Sequence, residues 1–425
     1  MRRSGIYLVV FLLLGLQLQI VGDSEFRYNY HIVDTPTASS TYTLVDYIAI
    51  NGNTDFLNHV EKFNWTGSGT AEDPFIIENY NITNNRHLFR VVNTDYHFIL
   101  QNCWLDGIDN SWCGLYLAEV TNAIIRNITV KNAAIGMHML QLNDSIIESC
   151  EIYYNTNMGI ALELTCKQNQ ILNNSIHNNN EGGIWLDWFN SQNIIQGNKI
   201  HNNAIAGLRL LEDTYNNTIT ENHIFENSGY GIIALGNESD IFKNNITRNT
   251  ASGILIQGDE FHIYQNIIWK NNRMGIWVTY KASQNEISRN TILNSTSYAI
   301  RMDRRTTDNH IHHNDFLHNG DKYQCKDDGA NNVFEWNYYN PWNTTDANGD
   351  QVVDFPYLIE GLTNNTDSFP SLVPNTEIPS WYEYNPNEPA GIPESILLVL
   401  PAIASGTAVV VIVIGFVWWR NKPKE

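Results

Sequence analysis

The chain has 425 residues, a formal charge of −20, 43% hydrophobic and 12% aromatic residues, and only 16% charged residues. That hydrophobic content excludes a disordered chain, and the acidic balance excludes a basic face able to neutralise nucleic-acid phosphates. Asparagine, at 58 residues, outnumbers the 25 lysines and arginines more than twofold; together with glycine and isoleucine it argues against an all-helical bundle.

Taken in chain order, residues 1–22 place Arg2 and Arg3 ahead of an apolar run from Ile6 to Ile20, the charged and apolar regions of a secretory signal. No small-x-small triplet precedes Asp23, so cleavage and retention as an anchor both fit. Residues 41–75 are expected to form an N-terminal cap, with a short element around Asp55 to Phe63 covering the open end that a stacked repeat must protect.

The repeat occupies 76–339. A unit Gly-apolar-x-apolar recurs as Gly114-Leu-Tyr-Leu, Gly136-Met-His-Met, Gly159-Ile-Ala-Leu, Gly183-Ile-Trp-Leu and Gly207-Leu-Arg-Leu, then at Gly231, Gly253, Gly275 and, without glycine, at Ala299. The spacings run from 22 to 24 residues. In step with it runs Ile-x-x-Asn-x-Ile-x-x-Asn. Its first asparagines are Asn174, Asn198, Asn222, Asn244, Asn266, Asn290 and Asn314, and its second position holds Asn179, Asn203, Asn227, Asn249, Asn271, Ser295 and Asn319. From the second asparagine position to the next glycine position the distance is always four residues; variation in period lies between the glycine strand and the following isoleucine. Two corners of each turn are therefore fixed and one carries the insertions.

Short alternating strands at this period predict an all-β fold: a single-stranded parallel solenoid of about eleven coils. At ~4.8 Å per rung it is a rod on the order of 50 Å long. The asparagines fall at corners, where amides bond the backbone and stack rung on rung. A leucine-rich horseshoe would want leucine-dominated repeats with helical spacers, which these linkers do not supply.

A C-terminal cap is expected over 340–370. Half of the 12 prolines lie between Pro370 and Pro393, marking 371–394 as an extended stalk. Ile396 to Trp419 is a 24-residue apolar stretch, long enough to form a transmembrane helix across ~30 Å of hydrocarbon. Trp418 and Trp419 suit the interface, and Arg420, Lys422 and Lys424 place 420–425 on the cytoplasmic side. The expected location is the cell membrane, single-pass, with the bulk extracellular or periplasmic. Eleven Asn-x-Ser/Thr sequons fit that location, and Asn127, inside a coil, is one where a glycan fits poorly. Of the five cysteines, Cys103 and Cys150 fall at matching places two repeats apart, beyond disulfide reach at the rung spacing. Buried free thiols are expected.

These features resemble the right-handed parallel β-helix, pectin-lyase-like superfamily, most nearly its NosD-like, carbohydrate-binding and sugar-hydrolase repeat group. The repeat carries the resemblance, with the entry segment from Gly67 to Ile82 and the exit from Asn337 through Asp346-Ala-Asn-Gly-Asp350 to Phe355-Pro-Tyr357 and Phe369-Pro370. The resemblance implies a fold rather than one activity, since the superfamily holds lyases, hydrolases, accessory proteins and adhesins. In its namesake, the NosD resemblance implies copper handling.

Candidate sites fall on the glycine strand, where residues alternate inward and outward. The outward ladder reads Tyr116, His138, Ala161, Trp185, Arg209, Ile233, Leu255, Trp277, Arg301, and the next Ala118, Leu140, Glu163, Asp187, Leu211, Leu235, Gln257, Thr279, Asp303. Trp185, Trp277, Arg209, Arg301 and Asp303 form an expected glycan groove of ring faces and forked donors. Glu163, Asp187 and Arg209, on successive rungs, are candidates for acid–base or cation-assisted catalysis. His177 and His201 lie one rung apart, and His312, His313 and His318 cluster near the exit; stacked surface histidines are the preferred reading over copper. Asp346, Asn348, Asp350 and Asp354 stand at positions 1, 3, 5 and 9 of a Ca²⁺-like loop whose twelfth position is Tyr357.

The expected function is non-catalytic binding of a glycan or cell-surface protein, with no required cofactor. The alternatives are a polysaccharide lyase or glycoside hydrolase working in the groove, and a NosD-like accessory factor for metal-site maturation.

Overall fold

The structure, a computed structural model, describes residues 42–379 except 109–111, 321 and 343–344. The expected secretory segment, the apolar stretch Ile396 to Trp419, the expected cytoplasmic tail and most of the expected stalk lie outside these residues. Among the described residues no helix is long and apolar enough to cross a membrane.

Three sheets of 12, 13 and 14 strands run the length of the repeat; apart from one antiparallel pair at the end of the 14-stranded sheet they are parallel, and the neighbours are every third strand in chain order. The chain therefore climbs one strand per sheet per turn. The glycine unit builds one sheet, as in Ile160–Glu163, Gly182–Leu186 and Ala206–Leu210. The first isoleucine builds the second, with Ile147, Ile171, Ile195 and Ile219 in register. The second isoleucine builds the third, with Ile152, Ile176, Ile200 and Ile224 in register. All eight of these isoleucines are fully buried. Alternation at period two sends each isoleucine inward while its neighbours face solvent.

The asparagine ladders form as expected. Each corner turns through one left-handed residue, such as Asn173 (φ 54) or Asn178 (φ 56), directly before the ladder position. The ladder amide then closes the turn. Asn222 donates from Nδ2 to Ile195 O (2.8 Å) and Asn244 Oδ1 (3.0 Å), while its own Oδ1 accepts Asn198 N (2.9 Å) and Asn198 Nδ2 (3.0 Å). A buried amide with all these groups satisfied is stabilising where an unsatisfied one would not be.

A third ladder, absent from the expectation, caps the variable corner. Asn169, Asn193 and Asn217 run as one stretch, and Asn285, Asn309 and Asn332 as another. Insertions thus extend the loop before this ladder without disturbing it. The ladders end on other acceptors: Asn337 donates from N and Nδ2 to Asp367 Oδ2 (3.0 Å each), and Asn319 to Gln324 Oε1.

Glycine recurs because two rungs meet there. A Cβ on Gly207 would stand 2.5 Å from Ile224 Cγ2 and 2.9 Å from Gly231 O; the same γ-methyl faces Gly136, Gly159, Gly183, Gly231, Gly253 and Gly275. The coil that carries Ala299 differs at the facing position, 17 residues on, which is Phe316. Phenylalanine has no γ-methyl branch, and that makes room for alanine.

Both ends are closed. The helix Gly52–Phe63 seats the fully buried Phe56 against Phe75 (5.4 Å between centroids) and Phe98 (5.5 Å). At the far end Tyr357–Leu358 and Thr366–Asp367 pair antiparallel on the second sheet, and Tyr357 stacks on Tyr339 at 3.6 Å. The first residues past the cap dock on the solenoid: Ser371 N bonds Asn337 O, and Asn375 N and Thr376 N bond the buried carboxylate of Asp315. Residues 371–376, the start of the expected stalk, are therefore docked on the solenoid. All five cysteines are free and buried.

Candidate functional site

The outward ladder of the glycine sheet has the expected register, Ala161–Trp185–Arg209–Ile233 and Leu255–Trp277–Arg301. It does not form one groove. Ile233 and Leu255, each 7% exposed, pack with Ala206, Tyr230, Leu235 and Trp277 into a separate apolar cluster, which divides the face in two.

In the C-terminal half the predicted groove residues satisfy one another. Trp277 Nε1 (3.0 Å) and Thr279 Oγ1 (2.6 Å) donate to Asp303 Oδ2, and Arg301 Nε donates to Asp303 Oδ1 (3.0 Å). Those donors are turned inward on a carboxylate rather than toward a ligand.

The other half is different. Arg209 lies over the Trp185 ring at 4.8 Å, and its Nε and Trp185 Nε1 are both buried without a hydrogen-bond partner. The indole can lie back there because the preceding outward position is Gly182, whose Cβ would stand 2.0 Å from Trp185 Nε1. Glu163 pairs with His138, Oε2 to Nε2 at 3.0 Å. Burial pushes the Asp187 carboxyl above its usual range and the charge of Glu163 raises it further, while the Trp188 N–H and Arg209 pull it down. Glu163, Asp187 and Arg209 are thus brought into one electrostatic cluster.

Beside them stand two aromatics that the sequence reading passed over. Trp188 (48% exposed) and Phe189 (54% exposed) are consecutive left-handed residues, φ 53° and 60°. Such geometry costs on the order of 1 kcal/mol or more per bulky residue. Buried Asn190 holds it, donating to Leu162 O (2.6 Å) and Asp187 O (2.7 Å) while accepting Cys166 N (2.6 Å). One rung earlier Leu164 and Thr165 repeat the same left-handed pair, and Thr165 N bonds Trp188 O. The signal was present in Asp187-Trp-Phe-Asn190, which places two large aromatics on the variable corner.

The remaining candidates resolve separately. Tyr153, His177, His201 and Phe225 stack in a column at 5.1, 4.9 and 4.6 Å. Burial lowers His201 to about 4, and the ring faces are taken by one another. Near the exit, His312 meets His310 and His313, while His318 sits at the next corner ahead of Asn319. Met137 and Met139 lie in the core. In the acidic loop the carboxylates accept backbone N–H groups: Asp346 takes those of Gly349, Asp350 and Gln351, Asp350 that of Val352, and Asp354 that of Ala347. Asn348 donates to Asp350. Among the described residues no group of three or more His, Cys, Asp or Glu side chains has an arrangement that could hold a metal ion.

Residues 62–222 match the family described as right handed beta helix region, and residues 188–361 match the family described as periplasmic copper-binding protein (NosD). Together the two matches span residues 62–361 and, with the parallel solenoid, support the right-handed parallel β-helix, pectin-lyase-like superfamily. Among solved structures this β-helix protein is similar to the mannuronan C-5 epimerase A-module of Azotobacter vinelandii, at 14% identity and a TM-score of 0.41 over 75% of this chain and 86% of that one. It is also similar to an alginate lyase of Paenibacillus, at 14% identity and TM-score 0.43 over 67% and 98%. A third is the Dettilon tailspike protein, at 12% identity and TM-score 0.46 over 67% and 57%. No curated protein matches the β-helix chain by sequence.

Proposed function

We propose that the glycine-sheet face around Asp187 binds glycans without turning them over, on a β-helix held at the cell surface by the apolar C-terminal stretch. The observation that carries the reading is the exposed, strained pair Trp188–Phe189, pinned by Asn190 beside Glu163, Asp187 and Arg209. Ring faces held rigid suit the apolar face of a pyranose, and neighbouring carboxylates and a guanidinium suit its hydroxyls. A chain of charge −20 favours neutral over polyanionic glycans. An array of neutral and acidic glycans probed with the purified full-length protein tests this. Binding to neutral members, lost in Trp188→Ala, supports the reading; a blank array overturns it.

A second reading is favoured by the raised Asp187 carboxyl: acid–base cleavage with Asp187 as the acid and Glu163 as its charged neighbour. Release of shorter sugars from a bound polymer, abolished in Asp187→Asn, would select it.

A further inference from the structure

Toward the N-terminal end of the same face lies a second constellation, on three successive coils. Cys113 immediately precedes Gly114, His138 lies in Met137–Asn143 and Glu163 closes Ile160–Glu163. Cys113 Sγ stands 3.6 Å from His138 Nδ1, and His138 Nε2 stands 3.0 Å from Glu163 Oε2. A carboxylate only accepts, so Nε2 carries the proton and the Nδ1 lone pair faces the thiol. Thiol, imidazole and orienting carboxylate stand in the order by which a base activates a nucleophile.

The other cysteines supply the contrast. Cys103, Cys150 and Cys166 each donate to a backbone carbonyl at 3.2 Å, those of Gln101, Glu148 and Glu163, and Cys325 is wholly buried. Among the described residues only Cys113 is hydrogen-bonded to an imidazole. Its surroundings open outward: Cys113 is 7% exposed, the side chains of His138 and Glu163 are 16% and 24% exposed, and adjacent Trp112 is 51% exposed. Burial, with the charge of Glu163, holds the thiol up at about 12. The resting thiol is therefore protonated, and a thiolate forms only as its proton moves.

We propose that Cys113, His138 and Glu163 form a nucleophilic thiol centre that accepts acyl groups from esters. The thiol proton passes to His138 Nδ1 as Sγ attacks the ester carbonyl carbon. The C–S bond forms, the C–O bond to the alcohol breaks, and the proton leaves on the alkoxide oxygen, giving a thioester on Cys113. Water then attacks that thioester; its proton passes through His138 to Sγ, so that one ester and one water become an acid and an alcohol. Glu163 holds the imidazole and stabilises its charge, as a positioning residue. An ester carried on a bound sugar would rest additionally on the glycan reading; the probe below does not.

The test treats purified full-length protein with p-nitrophenyl acetate and follows p-nitrophenol release, with peptide mapping of the acetyl group. The expected result is one hydroxylamine-labile acetyl group per chain, on Cys113. Its formation should be slowed about 100-fold or more in His138→Gln, the lower end of what a general base contributes, and absent in Cys113→Ala. Mapping the wild-type protein needs no variant, because the four core thiols are internal controls. Acetylation spread evenly over the cysteines, an unmodified Cys113, or an unchanged rate in a His138→Gln variant with wild-type far-UV circular dichroism each overturns the proposal.

Discussion

Replacing Asn222 with alanine tests the ladder as the element that holds the coils in register. The side chain makes four hydrogen bonds, two as donor to Ile195 O and Asn244 Oδ1 and two as acceptor from Asn198. Alanine strands the Asn198 N–H in a fully dry corner and removes three further bonds. One stranded donor at about 1–3 kcal/mol and three lost bonds at about 1 kcal/mol each predict a loss of about 4–6 kcal/mol. Serine should be milder, because in the third ladder Ser239 already does the same by accepting Asn217 N through Oγ at 3.0 Å. Asn222→Ser avoids the stranded donor and is expected to lose about 2–3 kcal/mol. Aspartate keeps the acceptors but sets an anionic oxygen against Asn244 Oδ1, and should fall below serine at neutral pH. Equilibrium urea unfolding followed by far-UV circular dichroism ranks the three. If alanine and serine variants prove indistinguishable, the amides are fillers and the reasoning fails.

Three further outcomes follow from the same geometry. Gly207→Ala should destabilise the coil strongly because its Cβ meets Ile224 Cγ2 at 2.5 Å; adding Ile224→Leu, which removes that branch, should recover part of the loss in the same unfolding assay, and no recovery refutes the account of Ala299. His201 and His223 are both held at about 4, against about 6.5 in an unfolded chain, so the unfolded state takes up protons first as pH falls. Stability should decline between about pH 6.5 and 4 by at most about 1.4 kcal/mol per pH unit for each histidine, and the partial solvation of both rings lowers that figure. With His177, Lys199 and Arg248 also facing the pair, a His201→Phe/His223→Phe variant should flatten the acid limb while preserving the stack. Trp188→Gly should leave stability unchanged or raise it by relieving a left-handed tryptophan, yet abolish binding to whichever glycan the array returns; a large loss of stability would show the residue to be structural.

The fold was legible because its forces are periodic. A solenoid repeats the same contact at every rung, so Ile171, Ile195 and Ile219 announce one buried column and Asn174, Asn198 and Asn222 one corner. The third ladder was harder to see. Its positions are filled by Asn169, Asn193 and Asn217 but then by Ser239 and Phe261, and Ser239 keeps the backbone bond while Phe261 gives up the side-chain acceptor. The corner tolerates the change because it lies beside the loop of variable length; its intervals from Asn169 to Asn309 are the same 24 or 22 residues as those of the other two ladders, and only the residue type breaks. A pattern search tuned to asparagine misses a position whose interval is kept but whose residue type is not.

The site was legible only as adjacency. Alternation and register place Trp185 beside Arg209 and Trp277 beside Arg301, and both pairs look alike in sequence. What separates them is where the nearest carboxylate finds its donors. Asp303 is two residues beyond Arg301, just past the end of its strand, and is also reached by Trp277 and Thr279, so that half of the face closes on itself. Asp187 stands in the same place relative to Trp185, but there its side chain accepts the Trp188 N–H at the mouth of a strained loop. Arg209 and Trp185 then keep buried donors without acceptors. The loop decides it: Asn190 bonds Asp187 O and Leu162 O, which forces Trp188 and Phe189 outward. A face that satisfies itself is structure, and one whose donors are held back from their nearest acceptor by a strained, exposed loop is where a ligand's oxygens would be favoured.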